Sequence, residues 1–196
     1  MNITAEQIKV LRDKTGVSIM QCRKALEEAQ GDIEKAIILL RKKSSEIASK
    51  KGDRTFGAGA IASYIHNNGN VGTLVELVSE TDFVSGNAEF KALAYDIAMH
   101  IAASNPQFLR KEDMTEEEKK KLIEVFTDEA KDKPEAMRQK IVDGKLNAYL
   151  AEKTLLDQPY IKNPDLTISA LIENAIQKFG EKVEVARFVR FKVLEK

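Results

Sequence analysis

A chain of 196 residues with 43% hydrophobic and 32% charged side chains is long enough to bury roughly 70% of its unfolded surface, so it needs no covalent staples to fold. Its 31 basic and 31 acidic residues cancel, which excludes the global field that drives non-specific binding to nucleic acid or anionic membranes. One cysteine, Cys22, excludes an intrachain disulfide; two histidines far apart, His66 and His100, lack metal-ligand spacing; and no apolar run reaches signal-peptide or membrane-span length. A reducing cytoplasm is the expected compartment, with neither membrane nor nucleic acid as a direct partner.

The first forty residues are dense in helix punctuation. Thr4 with Gln7 forms a capping-box pattern ahead of Ile8 and Leu11, and Gly16 supplies the stop; Ser18 with Gln21 repeats the pattern. The second helix carries Ile19, Cys22, Leu26 and Ala29 on one face and ends at Gly31, after which Asp32 caps a third helix with Ile33, Ala36, Ile37 and Leu40 inward. The expected unit is a three-helix bundle over residues 1–42. The stretch RKKSSEIASKKGDRTFGAGA that follows is basic and poor in large apolar residues, and residues 43–56 are expected to form a linker or an exposed helix. A solvated face explains such a run better than a phosphate-binding segment, because no aromatics interleave for base stacking.

Residues 57–196 are expected to form a second unit. The runs IASYIH and VGTLVELVSE flank NNGN and predict an antiparallel hairpin. Val75 and Leu77 alternate with Glu76, and apolar residues at helical spacing resume at Phe90, Leu93, Ala94, Ile97 and Ile101 before Pro106. Between strand and helix lies SETDFVSGN, so the pair Asp82-Phe83 occupies a turn. Thr115 with Glu118 is another capping box and opens a charged helical region; Pro134 near a helix start and Gly144 as a break predict two or three short helices there. Thr167 begins a helix with Ile168, Leu171, Ile172 and Ile176 on one face and Gly180 as its stop. The last segment sets Val183, Val185, Val189, Phe191 and Val193 against Glu184, Ala186, Phe188 and Arg190 and predicts a third strand. The fold class is therefore α+β, with a small antiparallel sheet covered by helices.

No active site emerges. GAGAIASY lacks the lysine of a phosphate-binding loop and precedes a strand. Cys22 lies on the apolar face of a helix without a neighbouring base, where it serves as a small core residue. His66 and His100 are expected as structural or surface residues, and the paired acids fall on solvated helices. No cofactor or metal is implied. For the turn, two readings stay open: Phe83 folds back as the first core residue of the following helix with Asp82 as a cap, or it stands out to meet something.

Four blocks carry a resemblance to the translation elongation factor Ts family: LRDKTGVSIMQCRKALEEAQGDIEKAI at Leu11 to Ile37, ETDFV at Glu80 to Val84, LLDQPYI at Leu155 to Ile161, and VARFVRFKV at Val185 to Val193. The resemblance implies a ubiquitin-associated-like bundle followed by an α+β core on a three-stranded antiparallel sheet. It implies a guanine-nucleotide exchange factor without its own active site, whose partner is the GTPase elongation factor Tu. In it Phe83 is the wedge that disturbs the partner's Mg²⁺ and phosphate site, Asp82 is its polar neighbour, and Thr81 and Val84 frame the turn. The bundle is implied to grip the GTPase domain through Arg12, Ile19, Met20 and Arg23, although the chain has Val17-Ser18-Ile19 where members often have Ala-Gly-Met. Because there is room for one core, a homodimer is implied, formed through the last strand. Two other readings compete: a docking module acting through the bundle alone, and an RNA-binding protein acting through the basic run from Arg41 to Arg54, against which the neutral overall charge counts.

Overall fold

The computed structural model describes residues 3–195. Helices α1 (Ala5–Thr15), α2 (Ile19–Glu28) and α3 (Ile33–Lys50) open the chain. Thr4 and Gln7 complete a reciprocal capping box at the start of α1, Gly16 takes the left-handed conformation at φ +70° after it, and Asp32 caps α3. Leu11, Val17, Cys22, Leu26, Ala36, Ile37 and Leu40 meet as a core of their own. Burial raises the Cys22 thiol pKa, against the opposing effects of Thr15 and Arg12, which suits a side chain used for volume.

Of the two readings for residues 43–56, linker or exposed helix, residues 43–50 take the second, as the last turns of α3, but one face of them is packed. Ser44, Ile47 and Ala48 extend the stripe begun by Ile37 and Leu40, so the helix keeps an inward face where large apolar residues become sparse. That face meets α8 (Ile168–Phe179), where the Ser44 hydroxyl bonds Asn174 (3.2 Å) and Gln177.

Strands β1 (Ala58–His66) and β2 (Val71–Ser79) form the hairpin, and β5 (Val183–Lys192) pairs antiparallel with β2, giving the order β1-β2-β5. The four-residue α4 (Asp82–Ser85) and the long α5 (Ala88–Ser104) follow β2. Phe90, Ala94, Ile97 and Ile101 of α5, with Ile168, Ile172 and Ile176 of α8, cover Val75, Leu77, Val183 and Val185 on the inner face of the sheet. The alternation expected along β5 breaks midway. Leu77 pairs with Val185 and Glu76 with Arg187, so Ala186 is an extra residue in a β-bulge. Beyond it the faces exchange: Arg190 turns inward and donates to the Ala102 carbonyl (3.3 Å), while Val189, Phe191 and Val193 point outward.

The charged middle region forms two helices, α6 (Glu116–Glu129), opened by the Thr115 capping box, and α7 (Glu135–Lys153). Gly144 does not break α7; it costs helix propensity in an exposed turn, and Val142 and Leu146 on either side are buried. Between α7 and α8 the short strands β3 (Pro159–Tyr160) and β4 (Asn163–Thr167) pair as a second sheet that hydrophobic periodicity had not announced.

This second sheet is fastened to α5 by a fully buried histidine. His100 Nε2 lies 2.9 Å from Gln158 Oε1 and therefore carries the proton, while Nδ1 accepts from the Ile161 N–H at 3.4 Å. Burial lowers its pKa, only partly opposed by Gln158. A lowered pKa means the fold holds the neutral form, so this stabilisation is complete above the ordinary histidine value near 6.5 and is lost as pH falls from there through the lower folded value. Denaturant unfolding followed from about pH 7.5 to about 5.5 is expected to show falling stability, and His100→Gln should flatten that slope.

Candidate functional site

The segment joining β2 to α5 carries the Asp82-Phe83 pair. Thr81 is extended, α4 makes one turn, and the chain enters α5 after Asn87 caps it. Val84 and Ser85 are buried, with Val84 part of the sheet core. Phe83 is 84% exposed. The reading in which it folds back as the first core residue thus fails, because Val84 holds that place and a single helical turn directs neighbouring side chains about 100° apart. Asp82 and Thr81 are exposed beside it.

An isolated turn of four residues does not hold itself, since helix nucleation is unfavourable. Bonds within the segment contribute: the Ser85 N–H donates to the Thr81 carbonyl (3.3 Å), the Gly86 N–H to the Asp82 carbonyl (2.8 Å) and the Ser79 hydroxyl to the Thr81 carbonyl (3.0 Å). Distant segments add the rest. Glu181 accepts from the Thr81 N–H (3.0 Å) and from the Thr81 hydroxyl (2.6 Å). Glu80 accepts from the Lys182 N–H (2.5 Å) and pairs with Arg54 (2.9 Å). Burial pushes the Glu80 carboxyl pKa up, but the Lys182 N–H and the Arg54 guanidinium outweigh it and the net shift is downward. Lys182 Nζ donates to the carbonyls of Gly52 (2.6 Å) and Arg54 (3.1 Å) and lies 4.5 Å from the centre of the Phe56 ring.

At the bundle, the loop between α1 and α2 turns Val17 inward and Ile19 and Met20 outward. Thr15 is buried with its hydroxyl on the Leu11 carbonyl (2.7 Å), and the Cys22 thiol donates to the Val17 carbonyl (3.5 Å). Val17 thus fills the bundle core at this loop, and Met20 is 81% exposed. Ile19 leaves the apolar face expected for it, because it is the first residue of α2, next to the Ser18 cap, and lies outside the packed turn. Arg12 and Arg23 are exposed, and Arg23 pairs with Glu27 at 3.0 Å. The loop is also tied to the core: Asn163 donates to the Lys14 carbonyl (3.4 Å) and Asn174 to the Thr15 carbonyl (2.9 Å).

This arrangement presents two exposed apolar points on fastened loops, and among the described residues no group of three or more His, Cys, Asp and Glu is placed to hold a metal ion. No helix among them is long and apolar enough to cross a membrane. The sequence model described as Elongation factor TS matches residues 5–195. The chain belongs to the elongation factor Ts family. It is 49% identical over 195 residues to elongation factor Ts of Koribacter versatilis, covering 98% of this chain and 89% of that one. It is also 49% identical over 194 residues to that of Thermodesulfovibrio yellowstonii, covering 98% and 97%. With that of Thermosipho melanesiensis the identity is 46% over 195 residues, covering 98% and 100%. Membership places the chain among the translation elongation factors.

Sequence reasoning missed Arg54, Glu181 and Lys182, which hold the turn from elsewhere in the chain. One local signal was available for Glu181: an acid directly after the C-terminus of α8, where the helix dipole disfavours negative charge. The exposure of Phe83 makes a sharp contrast with its neighbour testable. Phe83→Ala is expected to change unfolding free energy by less than about 0.5 kcal/mol, as exposed sites do, whereas Val84→Ala should cost about 2 kcal/mol for two buried carbons. Denaturant titration of the two variants measures both.

Proposed function

We propose that the protein is a guanine-nucleotide exchange factor that binds elongation factor Tu carrying GDP, disturbs its Mg²⁺ and phosphate site with the Thr81–Val84 turn, and so releases GDP for replacement by GTP. The observation that carries this reading is the exposed Phe83 on a turn held by two other segments of the chain, in a family whose relatives bear the name elongation factor Ts. Phe83 is the wedge, Asp82 its polar neighbour, and Thr81 and Val84 the frame. Arg12, Ile19, Met20 and Arg23 form a second contact on the bundle. No bond is made or broken, so the protein is not an enzyme and needs no cofactor. It acts by linkage: a factor that binds the nucleotide-free partner more tightly than the GDP-bound one weakens GDP by the same factor, typically about 1 to 3 kcal/mol of coupling.

The competing readings lose support in the geometry. Three of the six cations in the basic run are engaged internally, Arg41 on the Asp165 carbonyl (2.5 Å), Lys51 on the Gly180 carbonyl (2.5 Å) and Arg54 on Glu80 (2.9 Å), which leaves fewer of them free to reach an RNA backbone. A bundle working alone is disfavoured because α3 packs along α8 and its Ser44 is buried there.

The proposed assembly is a homodimer. Ile61, Ile65, Leu74, Val189, Phe191 and Val193 stand exposed on the outer face of the sheet, an apolar surface that a soluble monomer seldom leaves uncovered. A second copy presents the same surface in a two-fold arrangement.

Release of a fluorescent GDP analogue from elongation factor Tu, chased with excess GDP, tests the exchange reading. Catalytic amounts of the wild type should accelerate release, and Phe83→Ala should lower that acceleration at least about tenfold, as loss of a fully buried phenylalanine implies. No acceleration from a folded wild type with a competent partner would overturn the assignment. Sedimentation equilibrium tests the dimer: the wild type should run as two chains and Phe191→Glu as one.

A further inference from the structure

We propose that Glu181 is the positioning residue of the Phe83 turn, a role that rests on the exchange reading above and names the group that makes the turn ready before the partner arrives. Thr81 occupies the N-cap position of α4 with extended backbone angles, φ −129° and ψ 159°, yet its side chain caps nothing. A threonine there ordinarily accepts from the N–H of the second or third helical residue. Here its hydroxyl is instead a donor to Glu181 Oε1 at 2.6 Å, and its N–H donates to Oε2 at 3.0 Å. Both donors of one residue are thus held by both oxygens of one carboxylate, a charge-assisted pair.

The bond is half of a reciprocal clasp. Glu80 accepts from the backbone N–H of Lys182, and Glu181 accepts from the backbone N–H of Thr81. Each of two adjacent chain segments therefore supplies one carboxylate to the other's main chain. The α8 side of the clasp is stiff, since Gly180 closes the helix in the left-handed conformation, its N–H on the Ile176 carbonyl at 2.9 Å. Phe83 itself is almost bare, so its direction comes from the backbone that carries it. Without Glu181 the Thr81 hydroxyl is free to swing back and cap α4, and the turn is tied to Lys182 only by the Glu80 half of the clasp. Ordering it would then fall on the encounter with the partner and reduce coupling.

The full chain carries the test. In Glu181→Ala the amide hydrogen of Thr81 should exchange with solvent at least about tenfold faster than in wild type, while the unfolding midpoint stays close to wild type. In GDP release from elongation factor Tu, the maximal acceleration should fall about tenfold with little change in the half-saturating concentration, because the bundle contact remains. Glu181→Gln, which keeps one acceptor oxygen, should recover part of the loss. Thr81→Val combined with Glu181→Ala should be no worse than Glu181→Ala alone. An unchanged Thr81 exchange rate, or additive losses in the double variant, would overturn the positioning role. If Phe83→Ala abolishes acceleration while Glu181→Ala releases GDP like wild type, the positioning role fails and the exchange reading stands; if the wild type fails to accelerate release, both fall.

Discussion

Helix α8 is twelve residues long, and the segments that carry the exposed side chains of interest are fastened to it or to the turn that ends it. Its apolar side, Ile168, Ile172 and Ile176, completes the layer over the sheet. Asn174 on the same helix holds the Thr15 carbonyl at the base of the Ile19-Met20 loop, and Glu181 beyond its C-terminus holds Thr81 at the base of the Phe83 turn. At a rise of 1.5 Å per residue these two attachments are about 10 Å apart along the helix. Because α3 also lies along α8, the bundle and the sheet layer share one continuous packed element. A substitution that loosened α8 would disturb both contact points together.

The parts of this fold that were legible in the sequence are those whose causes are local. Thr4 with Gln7, Thr115 with Glu118, and Gly16 and Gly180 act within a few residues of themselves, and the helices begin and end where those residues require. The strands β1 and β2 were legible for the same reason, since NNGN joins two runs of the right length. What escaped has causes a hundred residues away, or in a single extra residue that shifts the strand's register. Glu181 and Thr81 meet only once α8 has folded back beside β2, and the extra residue Ala186 reverses the alternation of β5 without leaving a mark in its hydrophobic pattern. Of the two readings for 43–56, linker or exposed helix, residues 43–50 take the helical one but with a packed face, since Ser44 and Ala48 are too polar or too small to announce the inward stripe that they complete with Ile47. For the turn itself, periodicity located Phe83 but could not tell a core residue from an exposed one; the burial of Val84 and the exposure of Phe83 do so.

Exposure is a cost the fold carries in three places: Phe83, the Ile19-Met20 loop, and the outer face of the sheet. Each is an apolar surface that water meets in the free chain and that, on the proposed reading, a partner or second copy would remove from water. Burying one such side chain is worth about 1.5 to 3 kcal/mol, while the whole fold of a protein this size is stable by only about 5 to 15 kcal/mol. The exposed groups therefore sit on segments whose neighbours are unusually well secured, Val84 and Ser85 beside Phe83 and Val17 beside Met20.

Rigid connection also decides how two weak contacts add. If the bundle loop and the Phe83 turn were joined by a flexible linker, the second contact would form at an effective concentration in the millimolar range, with further loss for every mismatch in span. A packed α3 and α8 remove that search, so that on the proposed reading engagement of the bundle would bring the turn to a fixed place on the partner. The same stiffness allows exchange to work by difference. A wedge that could relax would bind both nucleotide states of the partner equally and shift nothing, since only differential affinity moves an equilibrium. On the proposed exchange reading, a wedge fixed by Glu80 and Glu181 resists yielding, so that the conflict with bound Mg²⁺ and phosphate would be resolved by departure of the nucleotide.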